Sequence, residues 1–172
     1  LVVILFSFGR IKNNLTAGLN LSVGGALLAT LNTASEYGFG AVIASLPAFK
    51  TVSNGLGNIF RDPLVNEAIT TTTLAGITGS ASGGLSIALA TMSDQYIAMA
   101  QQANIPMEVL HRVASMASGG MDTLPHNGAV ITLLAVTGLT HKQSYKDIFF
   151  LTILKVLIVF IVIGLYYTTG WV

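Results

Sequence analysis

Along the chain, apolar residues come in long blocks, and most of those blocks carry a short interruption of small and polar residues. The last block, Asp147 to Trp171, is unbroken: DIFFLTILKVLIVFIVIGLYYTTGW. About 20 apolar residues in a helix span the hydrocarbon core of a bilayer, so residues 147–171 are predicted to cross one. The block from Val113 to Gly138 is also long enough, but ASGGMDTLPHNGAV at 117–130 interrupts it, which predicts a broken helix over 109–139. Ala68 to Met92 holds another interruption, Gly79-Ser80-Ala81-Ser82-Gly83-Gly84. The arms beside it, Val65–Thr78 and Leu85–Gln101, are each too short to span. They predict a re-entrant helical hairpin over 64–103 with its tip at SASGG. Upstream, 15–49 is over-long for one straight span and is interrupted from Asn32 to Gly38, so an interrupted helix is expected there. Lys50 to Asp62 reads as a Gly/Asn-rich loop, and Leu1 to Phe8 as the end of a further helix. The whole chain, 1–172, reads as a single membrane domain belonging to a larger protein.

Composition turns these blocks into a solvent assignment. Of 172 residues, 52% are hydrophobic and only 9% charged, with a mean hydropathy of +0.72. Soluble domains carry about 25% charged residues, so lipid is the expected surroundings and the fold class is an all-α integral membrane protein. A net charge of +1 with no basic cluster excludes a nucleic-acid partner. The absence of cysteine excludes disulfides and thiolate metal sites. His141, Lys142 and Lys146 precede the last block, and Tyr166, Tyr167 and Trp171 close it. By the positive-inside rule the basic end is cytoplasmic, which places the C-terminus outside a multi-pass plasma-membrane protein. Arg10 and Lys12 then also lie inside. Lys50, Arg61 and Arg112 lie outside, offset by Asp62, Glu67, Asp94 and Glu108. A hairpin at 15–49 would reverse the side of the outer loop.

The interruptions are where chemistry is expected. In hydrocarbon an unpaired backbone N–H or C=O costs several kcal/mol, so irregular backbone survives only against protein or a wet cavity. Each break exposes helix ends: an N-terminus with free N–H groups suits an anion, and a C-terminus with free carbonyls suits a cation. Secondary transporters bind substrates and coupling ions near the midplane with such discontinuous helices. An anion is therefore expected on Ser80, Ser82, Gly83, Gly84, Gly119, Gly120, Thr123 and Asn127. Ionisable groups inside a membrane tend to mark ion or proton pathways, which singles out Asp122 and His126 for coupling. Asn32, Thr33 and Glu36 are further candidates, and Lys155 either snorkels or faces the cavity as a counter-charge. Plainer readings compete. Gly79 to Gly83 is also a GxxxG packing match, Asp122 could only cap a helix, and Thr70 to Thr73 is expected to bond back to its own helix.

The motifs also carry a resemblance. GSASGGLSIALATM at 79–92 and ASGGMDTLPHNGAVITLLAVTGLTHKQSYKDI at 117–148 resemble the C-terminal part of the gluconate permease family of bacterial symporters. The likeness runs from NTASEYGFGAVI at Asn32 onward. It implies a proton-driven symporter of small hydroxy-acid anions such as gluconate or D-β-hydroxybutyrate, in the ion transporter superfamily. It further implies two inverted repeats, each with a re-entrant hairpin and a broken helix, of which this chain is the second. The expected partners are a small organic anion, a proton or Na+, membrane lipid and further copies of the protein. No cofactor and no metal are expected. A channel, facilitator or structural membrane subunit is the alternative. An enzyme is disfavoured, because neither a cysteine nor a serine in a nucleophile elbow is present.

Overall fold

A computed structural model describes residues 2–57 and 59–171, without the side chains of Val3, Ile4, Ile11, Glu36 and Ser53. All regular structure among the described residues is helical. Helix α1 (Val2–Ile11) leads through a 3-10 turn, Lys12–Asn14, into α2 (Leu15–Ser45) and α3 (Pro47–Gly57). Then follow α4 (Pro63–Thr78), α5 (Ala81–Gln102), α6 (Met107–Ser118), α7 (Gly128–Thr137) and α8 (His141–Thr169).

Helix ends fall where local chemistry dictates, and this moves several expected boundaries. The interruption expected from Asn32 to Gly38 does not exist, because α2 runs through it unbroken. Isolated Gly and Asn residues cost a helix no more than about 1 kcal/mol each relative to Ala, too little to end one. The break comes instead at Leu46, which is extended (φ −73°, ψ 136°). The ring of Pro47 disfavours a helical residue before it and suits the first position of the next helix. The loop expected from Lys50 is likewise helical, since α3 continues to Gly57. At the SASGG stretch the turn is only Gly79 and Ser80. Ser80 caps α5, its Oγ accepting from Gly83 N at 3.1 Å, so Ala81 to Gly84 are already the first turn. Helix α8 starts six residues before Asp147, where the Thr140 N–H and hydroxyl both donate to Gln143 Oε1 (2.9 and 2.8 Å).

Helix α4 is the centre of the packing. Most of its residues are buried, including Leu64, Asn66, Glu67, Ala68, Leu74 and Thr78. Apolar residues of α5 (Met92, Tyr96, Ala100), α6 (Val109, Val113, Ala117) and α8 (Val159, Ile163) close one core against Leu64 and Ala68. A smaller core joins Phe49 of α3, Leu74 of α4 and Ala88 of α5. The α4–α5 crossing is tightest at Gly84, where a Cβ would fall 2.2 Å from Ala75 Cα. Only glycine permits that approach. Among the described residues, two helical stretches are long and apolar enough to cross a bilayer: Lys12–Ser45 (mean hydropathy 1.2) and His141–Thr169 (mean hydropathy 3.0). Both leave most of their apolar side chains exposed, among them Leu21, Val42, Phe150 and Ile161. Helices α6 and α7, at 12 and 10 residues, are each too short to cross alone.

Gly84→Ala is expected to lower the unfolding midpoint of the purified protein in detergent, at an overpacking cost of about 1–3 kcal/mol. Gly164→Ala, which puts a methyl into open space on α8, is expected to leave the midpoint unchanged or raise it.

Candidate functional site

Two helix interruptions meet. Helix α4 ends at Gly79, whose left-handed conformation (φ 67°) turns the chain towards Ser80 and α5. Forty residues on in the chain, the segment from Gly119 to Asn127 separates α6 from α7. Asn127 joins the two. Its Nδ2 donates to Gly79 O at 2.6 Å, and its Oδ1 accepts from Ala129 N (2.7 Å) and Val130 N (3.3 Å), capping α7. One buried amide thus satisfies the C-terminal end of α4 and the N-terminal end of α7 together. His126 Nε2 lies 3.0 Å from Gly76 O, and its ring covers Gly79, where a Cβ would meet it at 2.7 Å. The N-termini of α5 and α7 are therefore neighbours, each carrying partial positive charge.

Helix α8 holds the connecting segment from its other side. His141 Nε2 lies 3.0 Å from Pro125 O, and the Tyr145 hydroxyl donates to Thr123 O at 3.4 Å. The Thr123 and Thr152 hydroxyls share a hydrogen bond at 2.6 Å, and Lys155 forms an ion pair with Asp122. Residues 141, 145, 152 and 155 are spaced by four, seven and three, which is one stripe of a helix. Lys155 is thus a counter-charge, but to Asp122. Helix α2 closes a third side: Asn32 Nδ2 donates to Gly128 O and, at 2.8 Å, to Thr132 Oγ1. A cavity of about 100 Å³ lies beside the tip, lined by Tyr37, Gly40 and Ala41 of α2 and Gly83, Ser86 and Ile87 of α5. Drug-sized ligands fill about 300–1,000 Å³, so this space is too small for one.

The expected site residues divide accordingly. Ser80, Thr123, His126, Asn127, Asn32, Asp122 and Lys155 are brought together by the contacts above. Ser82 is exposed beside Ser80, with its Oγ 3.4 Å from that of Ser80. Gly83 borders the cavity. Gly84 lies against Ala75, and at Gly120 a Cβ would meet Thr72 at 3.0 Å, so both positions serve close packing. Gly119 lies at the end of α6, its N–H bonded to Met116 O at 3.2 Å. Thr33 is exposed on α2, and the side chain of Glu36 lies outside the described residues. Among the described residues no cluster of three or more His, Asp or Glu could hold a metal ion.

Other contributors escaped the sequence pattern. Thr72 does not bond back to its own helix, but donates to Ala117 O at the end of α6 (2.9 Å). Thr70 donates to the Asn66 side chain (3.3 Å). Tyr145 and Thr152 matter through their register on α8, which a single apolar block conceals. Glu67, expected at the outer surface, is buried at 1% exposure.

Asn127→Ala removes a cap and an inter-helix bond. A loss of about 2 kcal/mol is expected, with faster amide hydrogen exchange at Ala129 and Val130. For the ion pair, Lys155→Met alone is expected to destabilise more than Lys155→Met with Asp122→Asn, because the single change strands a partly buried charge. Unfolding midpoints of the variants check the order.

Over all 172 of its residues the chain is 62% identical to the uncharacterized transporter YxjC of Bacillus subtilis (strain 168). It spans 36% of that relative's length. No protein-family model and no solved structure matches the chain significantly.

Proposed function

We propose that this chain forms part of a secondary active transporter in the plasma membrane, a symporter of small hydroxy-carboxylates such as gluconate or D-β-hydroxybutyrate. The observation that carries the reading is the Asn127–Gly79 hydrogen bond, which sets the N-terminal ends of α5 and α7 side by side. Paired positive helix ends, with the hydroxyls of Ser80, Ser82 and Thr123 nearby, offer N–H and O–H donors to a carboxylate and its neighbouring hydroxyls. Similarity to a bacterial transporter supports transport as the activity. The resemblance to gluconate permeases supports the choice of anion.

The α4–α5 pair is read as a re-entrant hairpin and α6–α7 as a broken helix, because α4, α6 and α7 (16, 12 and 10 residues) are too short for a full crossing and the 22-residue α5 is not apolar enough for one. The exposed residues His141, Lys142 and Lys146 mark the start of α8 as cytoplasmic. Tyr167, near the end of α8, donates to Asp62 at the start of α4, so that end is read as the outer one. His126 is the coupling residue at the break, since Asp122 is committed to Lys155. Alternating access then requires the contacts around Asn127 and His126 to form and release in turn.

The test is uptake of labelled gluconate and D-β-hydroxybutyrate by the full-length protein in proteoliposomes, with and without an inward proton gradient. Gradient-driven accumulation of one of them is expected, and His126→Gln is expected to abolish it while the protein remains folded. Equilibration that ignores the gradient would replace the symporter with a channel or facilitator. Full accumulation by His126→Gln would remove that residue from coupling.

A further inference from the structure

A second titratable group lies inside the helix packing, away from the junction of breaks. Glu67 is in the second turn of α4 and only 1% exposed. Among the described residues its Oε2 has no hydrogen-bond partner, and one turn further on the buried Thr71 Oγ1 has none either. These are two orphaned oxygens on one helix face. Residues 67, 71, 74 and 78 form a single stripe of α4, which leads from the carboxyl to Thr78, whose hydroxyl donates to Leu74 O (2.9 Å) at the tip of the hairpin. An ionised carboxylate cannot be held there without a counter-charge.

No counter-charge reaches it among the described residues. From α5, Tyr96 is buried in the core beside Leu64 and Ala68 of α4, its hydroxyl donating to Met92 Sδ (3.4 Å), while Asp94 is exposed. Helix α6 meets α4 with Val109, Val113 and Ala117, and its Glu108, His111 and Arg112 are exposed. On α8, Lys155 is paired with Asp122 and Tyr167 with Asp62, and Tyr166 packs at the core's edge. Lys50 of α3 and Tyr37 of α2 are exposed, and His126 is engaged with Gly76 O. The cation that a lone buried carboxylate can take up without further ligands is a proton.

We propose that Glu67 is a proton-binding site of the transporter, distinct from His126. It is reached from the outer end of α4 and lies on the stripe of residues 67, 71, 74 and 78 that runs towards the junction of breaks. The link to transport rests on the symporter reading; the protonation itself does not. Glu67 is about four residues from the start of α4, or roughly 6 Å along the helix. A carboxyl so placed is protonated and neutral when its surroundings are closed. It exchanges its proton only when α4 parts from α5, α6 or α8.

The test uses the full-length protein reconstituted in liposomes. Infrared difference spectra between neutral and strongly alkaline buffer are expected to show the carbonyl stretch of a buried protonated carboxylic acid. That band is expected to vanish in Glu67→Gln and to persist in Glu108→Gln, which alters an exposed carboxylate. A wild-type spectrum without the band, or a band that survives Glu67→Gln, overturns the proposal. In uptake, Glu67→Gln is expected to lose proton-driven accumulation, and Glu67→Asp to recover part of it with an altered pH profile. Wild-type pH dependence in Glu67→Gln, or accumulation driven by sodium instead of protons, overturns the coupling role. Should the wild type carry the band yet accumulate neither carboxylate, the proton site stands and the substrate reading alone fails.

Discussion

A helix that ends inside a protein leaves carbonyls without partners, and the arrangement around α4 follows from that constraint. Helix α4 is buried along nearly its whole length and stops at Gly79, among other helices instead of in water. Its last carbonyls need donors there. Asn127 supplies one and the His126 ring contacts another, both from a segment about fifty residues away in the chain. To deliver them, α6 and α7 must be separated by non-helical backbone, and that backbone must itself be held. Helix α8 does so with one stripe of side chains, and α2 reaches α7 through Asn32. The second interruption therefore serves the first.

Polar groups in this core are placed with unequal care. Asn66 donates to Phe60 O, Thr72 to Ala117 O, and Thr78 to the carbonyls of its own turn. The Thr72 bond ties α4 to α6, and all of them remove the cost of burying the hydroxyls and amide. Glu67 Oε2 and Thr71 Oγ1 stand apart, buried without partners among the described residues. An unsatisfied group costs free energy whenever it is left so. Beside so many satisfied groups, these two oxygens set the Glu67 turn of α4 apart from the rest of the core.

Much of this was legible in the sequence, and the remainder was hidden for definite reasons. Long apolar blocks and scarce charge pointed to helices in lipid, and the Pro, Gly, Asp and Asn residues of 119–128 marked the interruption between α6 and α7. The break at Leu46 is written in Pro47, whereas Asn32 and Gly38 resemble helix breakers but are absorbed by a 31-residue helix. Thr72 looked like a residue that bonds to its own helix, because hydroxyl spacing cannot say which neighbour will come within reach. The glycines of SASGG looked like ligand-binding backbone, whereas Gly84 exists for the approach of Ala75. Only tertiary packing distinguishes these uses. Glu67 next to Asp62 and Arg61 read as a solvated flank, and nothing short of the fold shows that α4 carries it inside.

The stripe on α8 has a mechanical consequence. Residues 141 and 155 are fourteen positions apart, so the attachment of the 119–127 segment is spread over roughly 21 Å of one rod. The apolar part of α8, residues 148–169, is roughly 33 Å long, slightly over a hydrocarbon core of about 30 Å. A helix with that excess meets a thinner bilayer by tilting further. Tilting a rod that is fastened at several points to a loop moves those points by different amounts. The geometry of the break is thereby tied to the thickness of the lipid around α8, and lipid composition becomes a variable of the site as much as any side chain within it.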